Sequence, residues 1–339
     1  MIDLRSDTVT RPTRAMMEAM MQAELGDDVF GEDPSVRALE VYGAGLFGKE
    51  AALFCPSGTM TNQIAIKVHT QPGDELLCDV NAHIYNYEGG GISRNSGVQA
   101  KLIQGEEGRI SASQIEQNIQ GDFDWLTRTR LVCLENTVNR AGGSYYTLDQ
   151  IKPIQEVCKR HQLALHLDGA RIFNALAVTG ETTQEVGKHF DSISICLSKG
   201  LGAPVGSLLL GTQTFIKEAR RMRKVFGGGM RQAGILAAAG LYALKHQVKR
   251  LHEDHQRAKA LAEVLATCSY VESVLPVYTN IIIFNIKKDR MSGEEFEKHL
   301  LRQQIKISSF GKQTIRMVTH LDFTDEMLIK TMEALKKIS

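Results

Sequence analysis

The chain has 339 residues, 43% of them hydrophobic and 23% charged, with a formal net charge of +1. These values exclude a disordered chain, and the near-zero charge offers no long-range field for nucleic acid or an anionic membrane. No apolar stretch approaches the roughly 20 residues that span a bilayer.

In chain order, helical patterns at 13–21 and 35–47 precede a strand at 51–55, and a helix at 59–69 leads to strands at 75–79, 100–103 and 131–134. A helix at 148–161 is followed by strands at 163–167, 192–197 and 207–210, then by helices at 214–224 and 230–246. Such alternation predicts an α/β fold with a mostly parallel, seven-stranded sheet between helices. A charged helix at 245–265 leads out to a strand at 280–286, a helix at 293–302, a strand at 314–318 and a helix at 324–337. This pattern predicts a smaller α+β C-terminal domain over 250–339, after a large domain with an N-terminal arm over 1–249. Residues 1–5 carry no signal-peptide pattern. The six cysteines (Cys55, Cys78, Cys133, Cys158, Cys196 and Cys268) include no Cys-x-x-Cys pair. They read as buried hydrophobes in a reducing cytoplasm, and no metal site is expected from them.

The chemistry concentrates at two strand ends. Lys199 follows an apolar run within Ser198-Lys199-Gly200-Leu201-Gly202, where small neighbours leave room for a flat ligand. About thirty residues earlier, a second strand ends in Asp168-Gly169-Ala170-Arg171. A lysine able to form a Schiff base and a carboxylate able to hold a ring nitrogen protonated, on successive strands, suggest pyridoxal phosphate. Ser57-Gly58-Thr59 joins a strand to a helix, where hydroxyls and unpaired N–H groups suit a phosphate; a plain N-cap is the competing reading. Gly43-Ala44-Gly45-Leu46-Phe47-Gly48 matches a dinucleotide fingerprint in letters, but it follows a helical pattern and precedes a strand, the reverse of the order required. His83 follows the strand at 75–79 and precedes Tyr85, Tyr87, Glu88 and a glycine run, so its imidazole could stand over a ring or act as a base. From the residues alone, a structural role for it is slightly preferred.

With Met1-Ile2-Asp3-Leu4-Arg5-Ser6-Asp7-Thr8, Gly26-Asp27-Asp28-Val29, Leu134-Glu135-Asn136-Thr137, Leu167-Asp168-Gly169-Ala170-Arg171, Gly227-Gly228-Gly229-Met230-Arg231-Gln232 and Arg316-Met317-Val318-Thr319-His320 added to these, the chain resembles the low-specificity L-threonine aldolases. Those are pyridoxal-phosphate enzymes of fold type I, and the resemblance spans essentially the whole chain. It implies reversible cleavage of L-threonine or L-allo-threonine to glycine and acetaldehyde. Lys199 would carry the cofactor covalently, Asp168 would face the pyridine nitrogen, and His83 would stack on the ring. Ser57, Gly58 and Thr59 would hold the phosphate, while Ser6, Arg171 and Arg316 would grip the substrate carboxylate. A homotetramer built as a dimer of dimers is implied, with Lys224 and Arg231 entering a neighbour's cofactor site. Glu88 and Glu135 would line the site. The basic run Arg220–Lys224 is then interface, not a nucleic-acid patch. Family members often carry histidine where Val138 stands here, and some carry a second at or near the position of Trp125, so the β-hydroxyl proton would depend on His83, a water or another group. A β-eliminating lyase or an aminotransferase would share Lys199, Asp168 and the phosphate loop.

Overall fold

The computed structural model describes residues 1–338. A short N-terminal strand β1 (Ile2–Asp3) is followed by β2 (Ala51–Cys55), β3 (Asp74–Asp79), β4 (Gln99–Ile103), β5 (Arg128–Glu135), β6 (Ala164–Gly169), β7 (Ser192–Cys196) and β8 (Ser207–Gly211). The strands β2 to β8 make one seven-stranded sheet in the order β2-β8-β7-β6-β5-β3-β4. Every pairing is parallel except those of β8, which runs against both β2 and β7. All residues of β7 and β8 are buried, as expected for strands covered on both faces. The α/β expectation therefore holds, with strand ends shifted by up to three residues.

Because β8 is reversed between them, β2 and β7 point the same way as β3 to β6. The carboxyl ends of these strands form one rim, which is where open α/β sheets place their ligands. Onto it open the turn after β2 (Ser57), the loop after β3 (His83), the last residue of β5 (Glu135), Asp168 in β6 and Lys199 after β7.

The second unit is an antiparallel sheet of β9 (Val271–Val274), β10 (Ile281–Ile286), β12 (Ser308–Ser309) and β13 (Thr314–Val318), in the order β12-β13-β10-β9. A further strand, β11 (Ile305–Lys306), pairs parallel with β1. One face of β10 and β13 feeds the second core through Ile282, Phe284, Ile315 and Met317. The period of two sends Ile283 and its register partner Arg316 to the other face. The helix Leu251–Ala266 touches the first core with Leu251 and the second with Ala258, Leu261 and Leu265, so it joins the two units.

The N-terminal arm reaches across to the second unit: Ile2 and Leu4 are buried in the second core, and β1 pairs with β11. A two-residue strand has too little pattern to reveal its partner three hundred residues away. Four residues beyond β1, the chain turns back to the large unit at Asp7, which is fully buried. Asp7 accepts from Arg171 Nε and Nη2, both at 2.7 Å, and from Asn280 Nδ2 at 3.3 Å. Burial alone would raise Asp7, yet the Arg171 charge and hydrogen bonds hold its carboxyl well below the usual range.

This pair fastens the N-terminal segment to the start of the helix Ile172–Thr179. Asp7→Asn removes one charge and leaves the other buried, so the variant is expected to lose about 3–5 kcal/mol in urea unfolding at pH 7. A loss below about 1 kcal/mol, the size of an exposed pair, would show that the contact carries no structural role.

Candidate active site

Asp168 lies on β6 with its side chain at the rim and is 3% exposed. Its Oδ1 accepts from Ala170 N at 3.2 Å and its Oδ2 from Asn62 Nδ2 at 2.9 Å. No cation touches it among the described residues, so its charge is oriented by neutral donors. Lys199 sits just past β7, half-buried, close enough that its charge acts on both Asp7 and His83.

The turn after β2 is an N-cap in form: Ser57 Oγ accepts from Met60 N at 3.2 Å, opening the helix Gly58–His69. Ser57 and Thr59 are exposed, so the hydroxyls and first-turn N–H groups can face an anion beside the rim. Glycine is needed at 58 for a reason the sequence does not reveal. A Cβ there would stand 2.6 Å from the Cys196 sulfur, so its absence lets the helix start press against β7.

His83 opens a short helical turn after β3. Its backbone N donates to Glu135 Oε2 at 2.8 Å, and its Nδ1 is 2.9 Å from Glu88 Oε1. Glu88 is buried and also accepts from Asn62 Nδ2 at 2.9 Å and Gln63 Nε2 at 2.7 Å. With the carboxylate as acceptor, Nδ1 carries the proton and Nε2 keeps its lone pair. Burial would lower His83, but the Glu88 hydrogen bond and the Asp168 and Glu88 charges outweigh it and raise it above the ordinary histidine value. His83, Glu88 and Asp168 bring potential ligand atoms within 4.8 Å of one another. Here hydrogen bonds already join them, directly or through Asn62.

Arg316 reaches the junction from β13. Its Nη1 donates to Asn139 Oδ1 at 2.8 Å, its Nη2 donates to Arg5 O at 2.9 Å, and its guanidinium covers Phe310 at 4.3 Å. Its Nε is buried without a partner. Burial and the neighbouring Arg171 charge push Arg316 down to about 10. Arg171 does not offer the free fork expected of it, because Nε and Nη2 are committed to Asp7 and only Nη1 remains. Ser6 caps the turn Asp7–Val9, its Oγ accepting from Thr8 N at 3.2 Å.

Lys224 and Arg231 are not gathered with these groups. Both are exposed, and Arg231 Nη1 pairs with Asp27 at 3.0 Å. The basic run around them is largely neutralised: Arg223 pairs with Asp28 at 2.5 Å, and Arg220 with Glu40 at 3.1 Å. Val138 is buried against the backbone of Ser144, with its N donating to Ser144 O at 2.8 Å. Trp125 is 77% exposed, in the loop that precedes β5, at the opposite end of the strands from the rim.

The profile of the beta-eliminating lyase family matches residues 3–289. The low-specificity L-threonine aldolase 1 of Arabidopsis thaliana is 45% identical over 329 residues, covering 95% of this chain and 92% of that protein. The low specificity L-threonine aldolase of Escherichia coli K12 is 44% identical, covering 97% and 96%. The chain belongs to the low-specificity L-threonine aldolase family. Among solved structures, the Leishmania major threonine aldolase superposes with a TM-score of 0.85 at 20% identity, covering 99% of each chain. At that identity it speaks for the shared fold alone.

Membership brings pyridoxal phosphate, and the family's cofactor fits the donor set found here. An unneutralised buried carboxylate, a half-buried lysine and an open helix N-terminus share the same rim. Sequence reasoning missed Asn62, Gln63, Asn139 and the partner of Asp7. Asn62 and Gln63 lie on a helix whose start was recognised, but amides in a helix carry no signal until their neighbours are known.

Glu135 is buried between these elements, its Oε2 on His83 N and its Oε1 accepting from Asn139 N at 2.9 Å. Burial and the Asp168 charge push it up to about 7 from 4.5. The folded state therefore binds a proton that the unfolded chain has lost, and this group's contribution to stability declines as pH rises from about 4.5 to about 7. Glu135→Gln should flatten the difference in melting temperature between pH 5 and pH 8. An unchanged difference would remove Glu135 from the pH response.

Proposed function

We propose that this chain cleaves L-threonine and L-allo-threonine, reversibly, to glycine and acetaldehyde. The observation that carries the reading is the rim itself, where Lys199, Asp168 and a tautomer-fixed His83 converge in a chain 45% identical to a threonine aldolase. Bound pyridoxal phosphate, held covalently by Lys199, supplies the electron sink for the pair released at Cα. Asp168 holds the proton on the ring nitrogen. Ser57, Gly58 and Thr59 present hydroxyls and N–H groups to the phosphate.

Arg316, steadied by Asn139 and Arg5, takes the substrate carboxylate, with Arg171 Nη1 and Ser6 beside it. The mutual repulsion of Arg316 and Arg171 is relieved by an anion placed between them. Gripping the carboxylate also fixes rotation about the substrate's N–Cα bond, which decides the bond that breaks. His83 Nε2 takes the β-hydroxyl proton, because Glu88 holds the other ring nitrogen protonated. Neither Val138 nor Trp125 offers a second base. The chain works as a cytoplasmic homotetramer, a dimer of dimers. The exposed Lys224 and Arg231 serve a neighbour's cofactor there, and the reaction supplies glycine or consumes threonine.

Three variants test this. The pyridoxal-phosphate-loaded protein should release acetaldehyde and glycine in equal amounts from threonine, and Lys199→Ala should release neither. His83→Asn should retain the cofactor yet lower kcat by about 10²–10⁴-fold, the range for loss of a general base. Unchanged turnover in His83→Asn would assign the proton to another group. Lys224→Ala should lower cofactor affinity only if the neighbour's site is shared, so wild-type affinity in that variant would return each site to a single chain.

A further inference from the structure

Behind Asp168, on the face of the sheet covered by the helix Gly58–His69, three buried polar side chains and the half-buried His69 stand in a row. The helix places Asn62 and His69 two turns apart on one side, and β6 places His166 two residues before Asp168 on one face. The β6–β7 register sets His166 opposite Ser192. The contacts are continuous: Asn62 Oδ1 to His166 Nε2 at 3.2 Å, His166 Nδ1 to Ser192 Oγ at 2.8 Å, and Ser192 Oγ to His69 Nε2 at 2.8 Å. Asn62, His166 and Ser192 are each 1% exposed or less.

The protons in this row have one consistent placement. Two carboxylates, Glu88 and Asp168, face the Asn62 amide, so its NH2 must donate to both. Oδ1 then faces His166, whose Nε2 must carry the proton and whose Nδ1 must accept from the Ser192 hydroxyl. The Ser192 oxygen is left to accept from His69 Nε2–H. Burial keeps both imidazoles neutral, pushing His166 down to about 3 and His69 to about 4. A cation here would neutralise Asp168 from behind. A neutral donor row orients the carboxylate and leaves its charge for the front. An apolar row of equal volume would serve packing at least as well, but it would leave the Asn62 Oδ1 buried without a donor and the amide held from its NH2 side alone.

We propose that His69, Ser192 and His166 are positioning residues that lock the Asn62 amide in one orientation, so that it ties the cofactor-nitrogen carboxylate Asp168 to Glu88, the carboxylate that orients His83. This rests on the pyridoxal-phosphate reading above. His166→Leu removes the donor, whereas His166→Gln retains both a donor and an acceptor. Cofactor affinity of each purified holoenzyme, and the pH midpoint of the bound cofactor's absorption change, are the readouts. His166→Leu is expected to weaken cofactor binding about tenfold, the equivalent of one hydrogen bond to a charged group, and to move the midpoint. His166→Gln is expected to stay near wild type in both. A folded His166→Leu with wild-type affinity and midpoint overturns the relay, and so does His166→Gln falling as far as His166→Leu. If His166→Leu does not fold, Ser192→Ala decides: a smaller shift in the same direction supports the relay, and no shift overturns it. Wild-type protein that gains no Lys199-dependent absorption with pyridoxal phosphate would instead refute the cofactor reading itself.

Discussion

Four carboxylates are buried within the junction between the sheet rim and the C-terminal unit: Asp7, Glu88, Glu135 and Asp168. An ionised group in such a place is tolerated only if something replaces its water. The fold gives each a different replacement. Asp7 receives a full ion pair from Arg171, and Glu88 receives the amides of Asn62 and Gln63 with the His83 ring. Glu135 receives two backbone N–H groups, and Asp168 one amide and one backbone N–H. Only the first is neutralised by a protein cation held face to face. Glu88 and Asp168 leave a surplus of negative charge around His83. That surplus raises His83, while burial and the Asp168 charge raise Glu135, and it suits a site that must receive a protonated ring and an amine.

The same constraint explains why certain parts of the molecule were legible in the sequence. β8 reads as a short apolar run, Leu208–Leu210, and β7 alternates serine with isoleucine before Cys196 and Leu197, so both strands are legible almost to the residue. Lys199 and Asp168 stood out because each is a charged residue placed where such a run stops. Charged residues without that frame were silent. Asp7 finds its partner 164 residues away, and nothing within its own turn distinguishes it from a surface aspartate. Asn62 sits in a helix with no unusual pattern and becomes meaningful only when β6 and the Glu88 loop are brought against it. The helix Ile172–Thr179 was missed because its residues are almost uniformly apolar and leave no stripe for a period of 3.6 to reveal.

The arginines divide the labour in a way that letters alone conceal. Both Arg171 and Arg316 read as carboxylate forks, and both are buried. Arg171 has its carboxylate inside the chain: Asp7 occupies two of its nitrogens and, burial notwithstanding, raises it. Arg316 has only neutral oxygens, from Asn139 and Arg5, and an unpartnered Nε. It is the one of the pair that is driven down, by burial and by Arg171 itself. The unbalanced charge therefore rests on Arg316, and an external carboxylate is the group that would balance it.

This balance ties binding to the architecture. Arg316 belongs to the C-terminal unit, Asn139 to the loop after β5, and Arg5 and Asp7 to the N-terminal segment that opens with a strand beside β11. Asn139 N and His83 N share the two oxygens of Glu135, so the residue steadying Arg316 and the residue proposed as base hang from one carboxylate. A shift of the C-terminal unit against the rim would disturb the carboxylate grip and His83 together. Two cores, packed separately, are thus held in register by a short polar path, Arg316–Asn139–Glu135–His83–Glu88. In the proposed reaction, that path fixes the distance between the end of the substrate that is held and the end that is cleaved.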